Sequence, residues 1–105
     1  MTRQGKYEPT SELSNETKDM HKAIQSLIEE LEAMDLYNQR ADICKDEDLK
    51  KILMHNGNEE KEHAAMLIEW IRRNDSVFDK ELESYLFTDK PISHTALNFI
   101  KEKKS

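Results

Sequence analysis

The sequence has few of the residues that interrupt helices or crosslink chains. Its 105 residues include two glycines, two prolines and one cysteine, Cys44. A single cysteine excludes an internal disulfide framework and leaves no Cys-x-x-Cys module. Aromatic residues make up 7% of the chain, and hydrophobic residues 36%, no more than the 36% that are charged. A lone unit of this composition is poor in core material, so we expect association with further copies to stabilise it.

Long apolar runs are also missing. No run approaches the ~20 residues that a membrane-spanning helix needs, and no apolar signal region follows the N-terminus. The net charge is -6, and acidic and basic residues are interleaved, so no basic face favours nucleic acid. We therefore predict a soluble, cytoplasmic, single-domain protein that binds neither nucleic acid nor membranes.

Apolar residues recur at helical spacing through most of the chain, which predicts an all-α fold. The first predicted helix starts at a Thr10 or Ser11 cap and runs to about residue 43. A turn at Cys44-Lys45 and an Asp46 cap lead into a second helix that ends near residue 73. Residues 74–76 break it and cap a short third helix, which the sequence at 89–91 stops. The prediction is an antiparallel two-helix hairpin plus a short third helix.

The second helix carries polar residues inside its apolar seam. The seam positions follow one another at spacings of four and three: Leu49, Leu53, Asn56, Glu60, His63, Leu67 and Trp70. Glu60 and His63 stand in the middle, and a buried carboxylate is costly unless it is paired or bound to a metal. Glu-x-x-His places both side chains on one face, one turn apart, as in the di-iron carboxylate bundles. Gly57 lies in the same helix, where glycine is less favourable than alanine. It indicates either close packing against a neighbouring helix or a glycine that the helix merely tolerates.

Glu30 lies inside the wide apolar face of the first helix. It stands fifteen residues before Lys45, and Glu60 stands fifteen residues after it. In antiparallel helices of equal rise, the two carboxylates fall at the same depth. A bundle di-iron site uses four glutamates and two histidines, so this chain supplies half of the set and a twofold pair supplies all of it. The donor types suit Fe(II), Mn(II) or Zn(II).

Several stretches together resemble the encapsulated ferritins: Ile28–Ala33, Tyr37–Arg40, His55-Asn56, Glu59–Met66, Glu69-Trp70, Arg72–Asp75 and Tyr85–Thr88. The resemblance runs in order from about residue 10 to about residue 92. It implies a ferroxidase that oxidises Fe(II) with oxygen at a di-iron centre, with Glu30, Glu60 and His63 of both protomers as ligands. It also implies that hairpins dimerise into a ferritin-like four-helix bundle. The dimers would form a ring-shaped decamer housed inside a cytoplasmic encapsulin nanocompartment, with the shell protein as partner.

The same resemblance implies further roles. Tyr37 would stand beside the metal centre as part of the catalytic set. Glu29 and Glu32 would attract iron near the entrance of the site. His55, Glu59 and Glu62 would form an outer site for a divalent cation such as calcium. Residues 1–9 are expected to form a flexible arm, 10–88 the hairpin domain and 89–105 a flexible tail. Within that tail, Ala96–Ile100 is a candidate encapsulin-targeting peptide.

Two other functions are consistent with the residues. In the first, the chain is a non-catalytic helical oligomerisation or adaptor module that binds partners through its apolar face, and the polar seam residues set the register. In the second, it is a related di-iron or di-manganese bundle that reacts with peroxide. An added Cys-x-x-Cys module would favour the second function, and Cys44 alone cannot supply one. Metal analysis of the purified protein separates the adaptor from the two enzymes.

Overall fold

The computed structural model describes residues 6–93, and every regular element in that range is helical. A short 3₁₀ turn, Thr10–Glu12, precedes three α-helices: α1 (Asn15–Ile43), α2 (Glu47–Arg73) and α3 (Ser76–Tyr85). Helices α1 and α2 belong to one compact unit that ends at Asn74, and α3 belongs to a second that begins at Asp75. The predicted all-α fold, a two-helix hairpin followed by a short third helix, is confirmed.

Helix α1 begins later than the sequence indicated. The Ser14 hydroxyl accepts a hydrogen bond from the Thr17 amide at 3.2 Å and donates one to Thr17 Oγ1 at 3.0 Å. The predicted cap at Thr10 or Ser11 was wrong, because these residues form the separate 3₁₀ turn and the backbone at Leu13 is extended. Ser14 offers the same capping hydroxyl after that break.

Part of the predicted N-terminal arm contacts α1. The Tyr7 hydroxyl accepts a hydrogen bond from Gln25 Nε2 at 2.8 Å, and its ring meets the His21 ring edge-on with centroids 4.8 Å apart. Tyr7 is therefore tied to the first half of α1, whereas residues 1–5 lie outside the described range. The domain boundaries at residues 9 and 89 stay predictions.

Helix α2 follows the sequence prediction at both ends. The Asp46 carboxylate caps it by accepting a hydrogen bond from the Leu49 amide at 2.8 Å. The acidic first turn and the basic last turn both complement the helix dipole. At the other end, the Asn74 amide donates to the Ile71 carbonyl, which closes the last turn at Arg73.

Helix α3 is capped as predicted but ends early. The Asp75 carboxylate accepts hydrogen bonds from the Val77 and Phe78 amides. The helix stops at Tyr85, before the predicted stop at residues 89–91. The reason lies in the backbone, because Leu86 is extended and Phe87 takes a left-handed φ of 58°. A bulky residue in that region ends a right-handed helix.

The inner face of the hairpin is lined mostly by small residues, with Ile71 as the one large side chain among its buried residues. Ala23, Ala41, Ala64 and Ile71 form its buried core, together with Gly57. Small side chains let two helices approach closely, but they bury little apolar area. Many larger apolar side chains of the hairpin therefore remain exposed: Ile24, Leu31, Leu36, Ile43, Leu49, Ile52, Met54, Met66 and Trp70. A two-helix unit leaves this surface in water because it has only one inner face.

Among residues 6–93, no helix combines the length and the apolar character needed to cross a bilayer.

Candidate metal centre

Three predicted ligand residues converge about midway along the hairpin. Helix α1 supplies Glu30, and α2 supplies Glu60 and His63 from consecutive turns. His63 Nδ1 lies 3.3 Å from Glu30 Oε2 and 3.6 Å from Glu60 Oε2. One ligand atom from each residue lies within 4.8 Å of the others, a closeness that no other such group of acids, histidines or cysteines reaches within residues 6–93. The structure thus brings the carboxylates of Glu30 and Glu60 to the same depth, as their equal distances from Lys45 in the sequence predicted.

The cluster is partly open to solvent in the single chain. The side chains of Glu30 and Glu60 are 25% and 23% exposed, and that of His63 is 41% exposed. The seam residues Leu49 and Trp70 are exposed as well. The seam pattern predicted a stripe that is buried in a packed bundle. In the single chain α1 covers only one side of α2, so burial of the stripe stays a prediction. The open side of the cluster is therefore the side from which further ligands can approach.

The close carboxylates shift the pKa values of the cluster. The hydrogen bond with Glu30 raises the pKa of Glu60 above its ordinary value, and partial burial and the charge of Glu30 act in the same direction. Partial burial alone would lower the pKa of His63, but hydrogen bonds and charge attraction from both glutamates outweigh it and raise that pKa. The cluster thus concentrates negative charge and favours bound protons or a cation. Two carboxylates and an imidazole fit a divalent first-row metal ion.

The five predicted secondary ligands lie outside this cluster. Glu29, Glu32 and Glu62 are exposed. His55 Nε2 and Glu59 Oε1 are 3.5 Å apart, one helical turn from each other on α2, with side chains 72% and 49% exposed. Exposed acids and histidines at this spacing are common on helix surfaces. Their role as metal ligands stays a prediction.

Tyr37 occupies a half-buried position two helical turns after Glu30. The guanidinium carbon of Arg40 lies 5.9 Å from the centre of its ring, at cation–π distance. Its Cβ faces Gly57 of α2. These contacts place Tyr37 in the packing between the two helices, and its catalytic role stays a prediction.

An ion cluster near the end of α2 was not identified from the sequence. Arg72 binds both carboxylate oxygens of Glu69, at 2.8 and 2.7 Å, and Arg73 Nε donates to Glu69 Oε2 at 2.6 Å. These hydrogen bonds, with Arg72 first and Arg73 second, lower the pKa of Glu69 to about 2. The available signal was the spacing of three and four residues between acid and base.

The fold and the cluster together define a class of protein. Helical bundles with binuclear metal sites take one glutamate from each of two helices and a Glu-x-x-His pair from each of two others. This hairpin presents Glu30 on one helix and Glu60 with His63 on the other, at one depth. It is therefore a helical protein of ferritin-like type, and these three residues match half of such a ligand set in residue type.

Comparison with known proteins gives the family. The sequence matches the EncFtn-like family over residues 5–89, and the chain belongs to that family of encapsulated ferritin-like proteins. It is 54% identical over 87 residues to a ferritin-like protein of Thermotoga maritima, a match that covers 83% of this chain and 76% of the relative. It is 53% identical over 87 residues to an encapsulated ferritin-like protein of Rhodospirillum rubrum, covering 83% of this chain and 62% of that protein.

A more distant relative and a solved structure agree with this assignment. An encapsulin nanocompartment cargo protein of Myxococcus xanthus is 39% identical over 75 residues, covering 68% of this chain and 58% of that protein. The chain thus spans about three fifths of the Rhodospirillum and Myxococcus proteins. A crystal structure of a Nitrosomonas europaea protein, 71% identical in sequence, superposes with a TM-score of 0.82 over 86% of this chain and 99% of that one.

Proposed function

We propose that this protein is a ferroxidase that oxidises Fe(II) to Fe(III) with dioxygen at a di-iron site formed between two copies of the chain. The observation that carries the proposal is the convergence of Glu30, Glu60 and His63, whose ligand atoms lie within 4.8 Å of one another. Two copies around a twofold axis would present four glutamates and two histidines, the full set of a binuclear bundle site.

Each residue of the cluster has a distinct part in holding the Fe(II) substrate. Glu60 and His63 are held one turn apart by α2, so their separation does not depend on the rest of the fold. Glu30 comes from α1 and closes the group from across the hairpin. Metal ligands bind in their deprotonated forms, so a cation competes with protons for the cluster. Two Fe(II) ions bound together would supply one electron each to dioxygen, which with two protons from water would give hydrogen peroxide and two Fe(III).

The open surface of the hairpin supports pairing of copies. The exposed apolar residues of α2 include Ile52, Met66 and Trp70, which share the half of the helix surface on which His63 lies. A second hairpin packed there would cover them and complete the four-helix bundle at the same time. We extend the proposal to a ring-shaped decamer built from such dimers.

The names of two relatives support a place inside an encapsulin shell. The Rhodospirillum relative is called an encapsulated ferritin-like protein, and the Myxococcus relative is called an encapsulin cargo protein. We propose that this chain is likewise cargo of a cytoplasmic encapsulin compartment. The chain would oxidise the iron, and the shell would store it. The candidate targeting residues, Ala96–Ile100, lie outside the described part of the chain.

Stepwise addition of substrates tests the proposal. Fe(II) is added to metal-free protein without oxygen, oxygen is then admitted, and absorbance and native mass are followed. The expected result is a rise in mass on Fe(II) binding and rapid Fe(III) absorbance only after oxygen enters. Failure to bind Fe(II), with an unchanged mass, would favour the adaptor function. In a parallel run, hydrogen peroxide replaces oxygen. Slow oxidation of Fe(II) with oxygen but fast oxidation with peroxide would favour the peroxide-reactive bundle.

A further inference from the structure

Gly57 is buried at the point where the two long helices of the hairpin meet. An ideal Cβ atom built on Gly57 would lie 3.2 Å from the Cβ atom of Tyr37 on α1, closer than about nine in ten Cβ contacts in proteins. The lack of a side chain at Gly57 therefore permits this approach. Of the two readings that the sequence left open, close packing is the one that the geometry supports.

The contact cannot be relieved by a side-chain rotation. The Cβ atom of Tyr37 is bonded directly to its backbone, so no change of rotamer moves it away from α2. A methyl group at Gly57 would have to push the helices apart by a few tenths of an ångström. Alanine is also the better helix former, so this packing conflict is separable from any effect on α2 itself.

This close contact lies near the metal cluster. Gly57 stands three residues before Glu60, and Tyr37 stands seven residues after Glu30, so the contact is one to two helical turns from the carboxylates. A change of helix separation leaves the distance between Glu60 and His63 unaltered, since both belong to α2. It alters the 3.3 Å distance between His63 Nδ1 and Glu30 Oε2, which joins the helices.

We propose that Gly57 is a positioning residue of the metal centre: its missing side chain lets α2 approach Tyr37 and so holds Glu30 against Glu60 and His63. The inference rests on the proposed function, because it assumes that these three residues bind metal together. It adds a requirement on a residue that bears no ligand atom.

The first test compares two alanine variants of α2 by binding of Co(II), a spectroscopic stand-in for Fe(II). Gly57→Ala adds a methyl group at the helix contact. Asn58→Ala, the matched control, changes an exposed neighbour whose side chain bonds Lys61. We expect Gly57→Ala to keep its helical circular dichroism, weaken Co(II) binding by roughly 10- to 100-fold and change the visible Co(II) bands. Asn58→Ala should match the parent protein.

The second test asks whether the effect acts through the Cβ atom of Tyr37. In a Tyr37→Ala background that atom remains, so adding Gly57→Ala should still weaken Co(II) binding. In a Tyr37→Gly background the atom is gone, and adding Gly57→Ala should leave Co(II) affinity unchanged. A merely destabilising methyl group would weaken binding equally in both backgrounds, and that result would overturn the proposal.

The outcomes separate this inference from the proposed function. If the parent protein binds no Co(II), or binds it without Glu60, the proposed function fails. If the parent binds Co(II) through Glu60 but Gly57→Ala binds as tightly as Asn58→Ala, only the role of Gly57 is refuted. If Gly57→Ala alone loses its helical signal, the Tyr37→Gly pair decides, and unequal Co(II) affinity within that pair refutes the role.

Discussion

His63 Nδ1 on α2 lies 3.3 Å from Glu30 Oε2 on α1, although the two residues are 33 positions apart in the chain. The contact exists only when the hairpin is folded in one register, since a slip of one residue shifts one helix along the other by ~1.5 Å. The register of the two helices therefore decides whether His63 and Glu30 can bind one cation together. A cation held jointly by both residues stabilises the folded hairpin against the unfolded chain.

The first prediction concerns the three ligands. Replacement of Glu30, Glu60 or His63 by alanine should lower ferroxidase turnover by more than the roughly 10- to 100-fold that loss of an outer-shell partner costs. Each substitution removes two ligands from a twofold site, one from each copy. Stopped-flow measurement of Fe(III) absorbance after mixing with oxygen gives the rate.

A control for this series changes charge without touching the cluster. Glu83 is an exposed glutamate on α3, and Glu83→Ala removes one carboxylate per chain, as Glu60→Ala does. It should oxidise Fe(II) at the parent rate. Parent rates in both Glu60→Ala and His63→Ala would refute the assignment of the ligands.

The second prediction uses Trp70, the single tryptophan, as a reporter of pairing. Its side chain is 39% exposed in the lone chain, and it stands seven residues after His63 on the same stripe of α2. A copy that pairs across the cluster should cover it. Added Zn(II) should therefore raise the mass in sedimentation and shift the Trp70 emission to shorter wavelength. At 100 times its Kd, a metal that binds only the paired state stabilises it by about 2.7 kcal/mol.

The matching variant for this measurement is His63→Ala. It should show neither the added mass nor the emission shift at the same Zn(II) concentration, whereas Glu83→Ala should show both. Identical sedimentation of the parent with Zn(II) and with chelator, at a mass of one chain, would count against metal-bridged pairing.

The sequence predicted the hairpin well because local signals agree there. The Asp46 cap, the long apolar seams and the turn near Lys45 all favour two antiparallel helices, and the depth of Glu30 and Glu60 follows from equal helical rise. The start of α1 was harder, because Thr10, Ser11 and Ser14 are all acceptable caps and only the extended backbone at Leu13 decides between them.

Burial could not be predicted from the seam alone. The spacing that places Trp70 and Leu49 in the seam of α2 is the same in a lone two-helix hairpin and in a four-helix bundle. In the single chain both residues are exposed. The ion pairs of Arg72 and Arg73 with Glu69 depend on the rotamers of these side chains. The spacing in the sequence allows those rotamers but does not determine them. The close contact of Gly57 with Tyr37 depends on the crossing of the helices, which the sequence does not specify.

The third prediction concerns the pH dependence of stability at Glu69. Its pKa in the folded protein is about 2, against an ordinary value of 4.5, because Arg72 and then Arg73 hydrogen-bond the carboxylate. A lowered folded pKa contributes stability that is present above pH 4.5 and is lost as pH falls through about 2. The parent should thus exceed Glu69→Gln in melting temperature by a constant, small amount near neutral pH. The difference should shrink below pH 4.5.

Melting curves of both proteins, recorded with chelator and at equal concentration, check this expectation. Chelator removes any contribution of bound metal, and equal concentration removes effects of association. If the melting temperatures of the parent and Glu69→Gln differ as much at pH 3 as at pH 7, the ion pairs of Glu69 with Arg72 and Arg73 do not cause the difference.

The last prediction concerns what happens to the oxidised iron. The hairpin unit supplies two long helices, and a ring of hairpin dimers would enclose no sealed cavity, so nothing in the protein alone would confine Fe(III). The isolated protein should turn over Fe(II) but precipitate or release the product at high iron-to-protein ratios. Retention of iron should need a shell protein, reached through the residues around Leu97 and Ile100. Iron loading with and without a co-expressed encapsulin measures this directly.

Deletion of residues 94–105 should separate capture from catalysis, because these residues follow α3 in the sequence and include none of the three proposed ligands. The deleted protein should keep the parent rate of Fe(II) oxidation and lose co-purification with the shell protein. Loss of turnover instead would place the tail in the catalytic fold. A soluble particle that keeps a large mineral core with no second protein present would overturn the open ring, because only a closed cavity can hold such a core in solution.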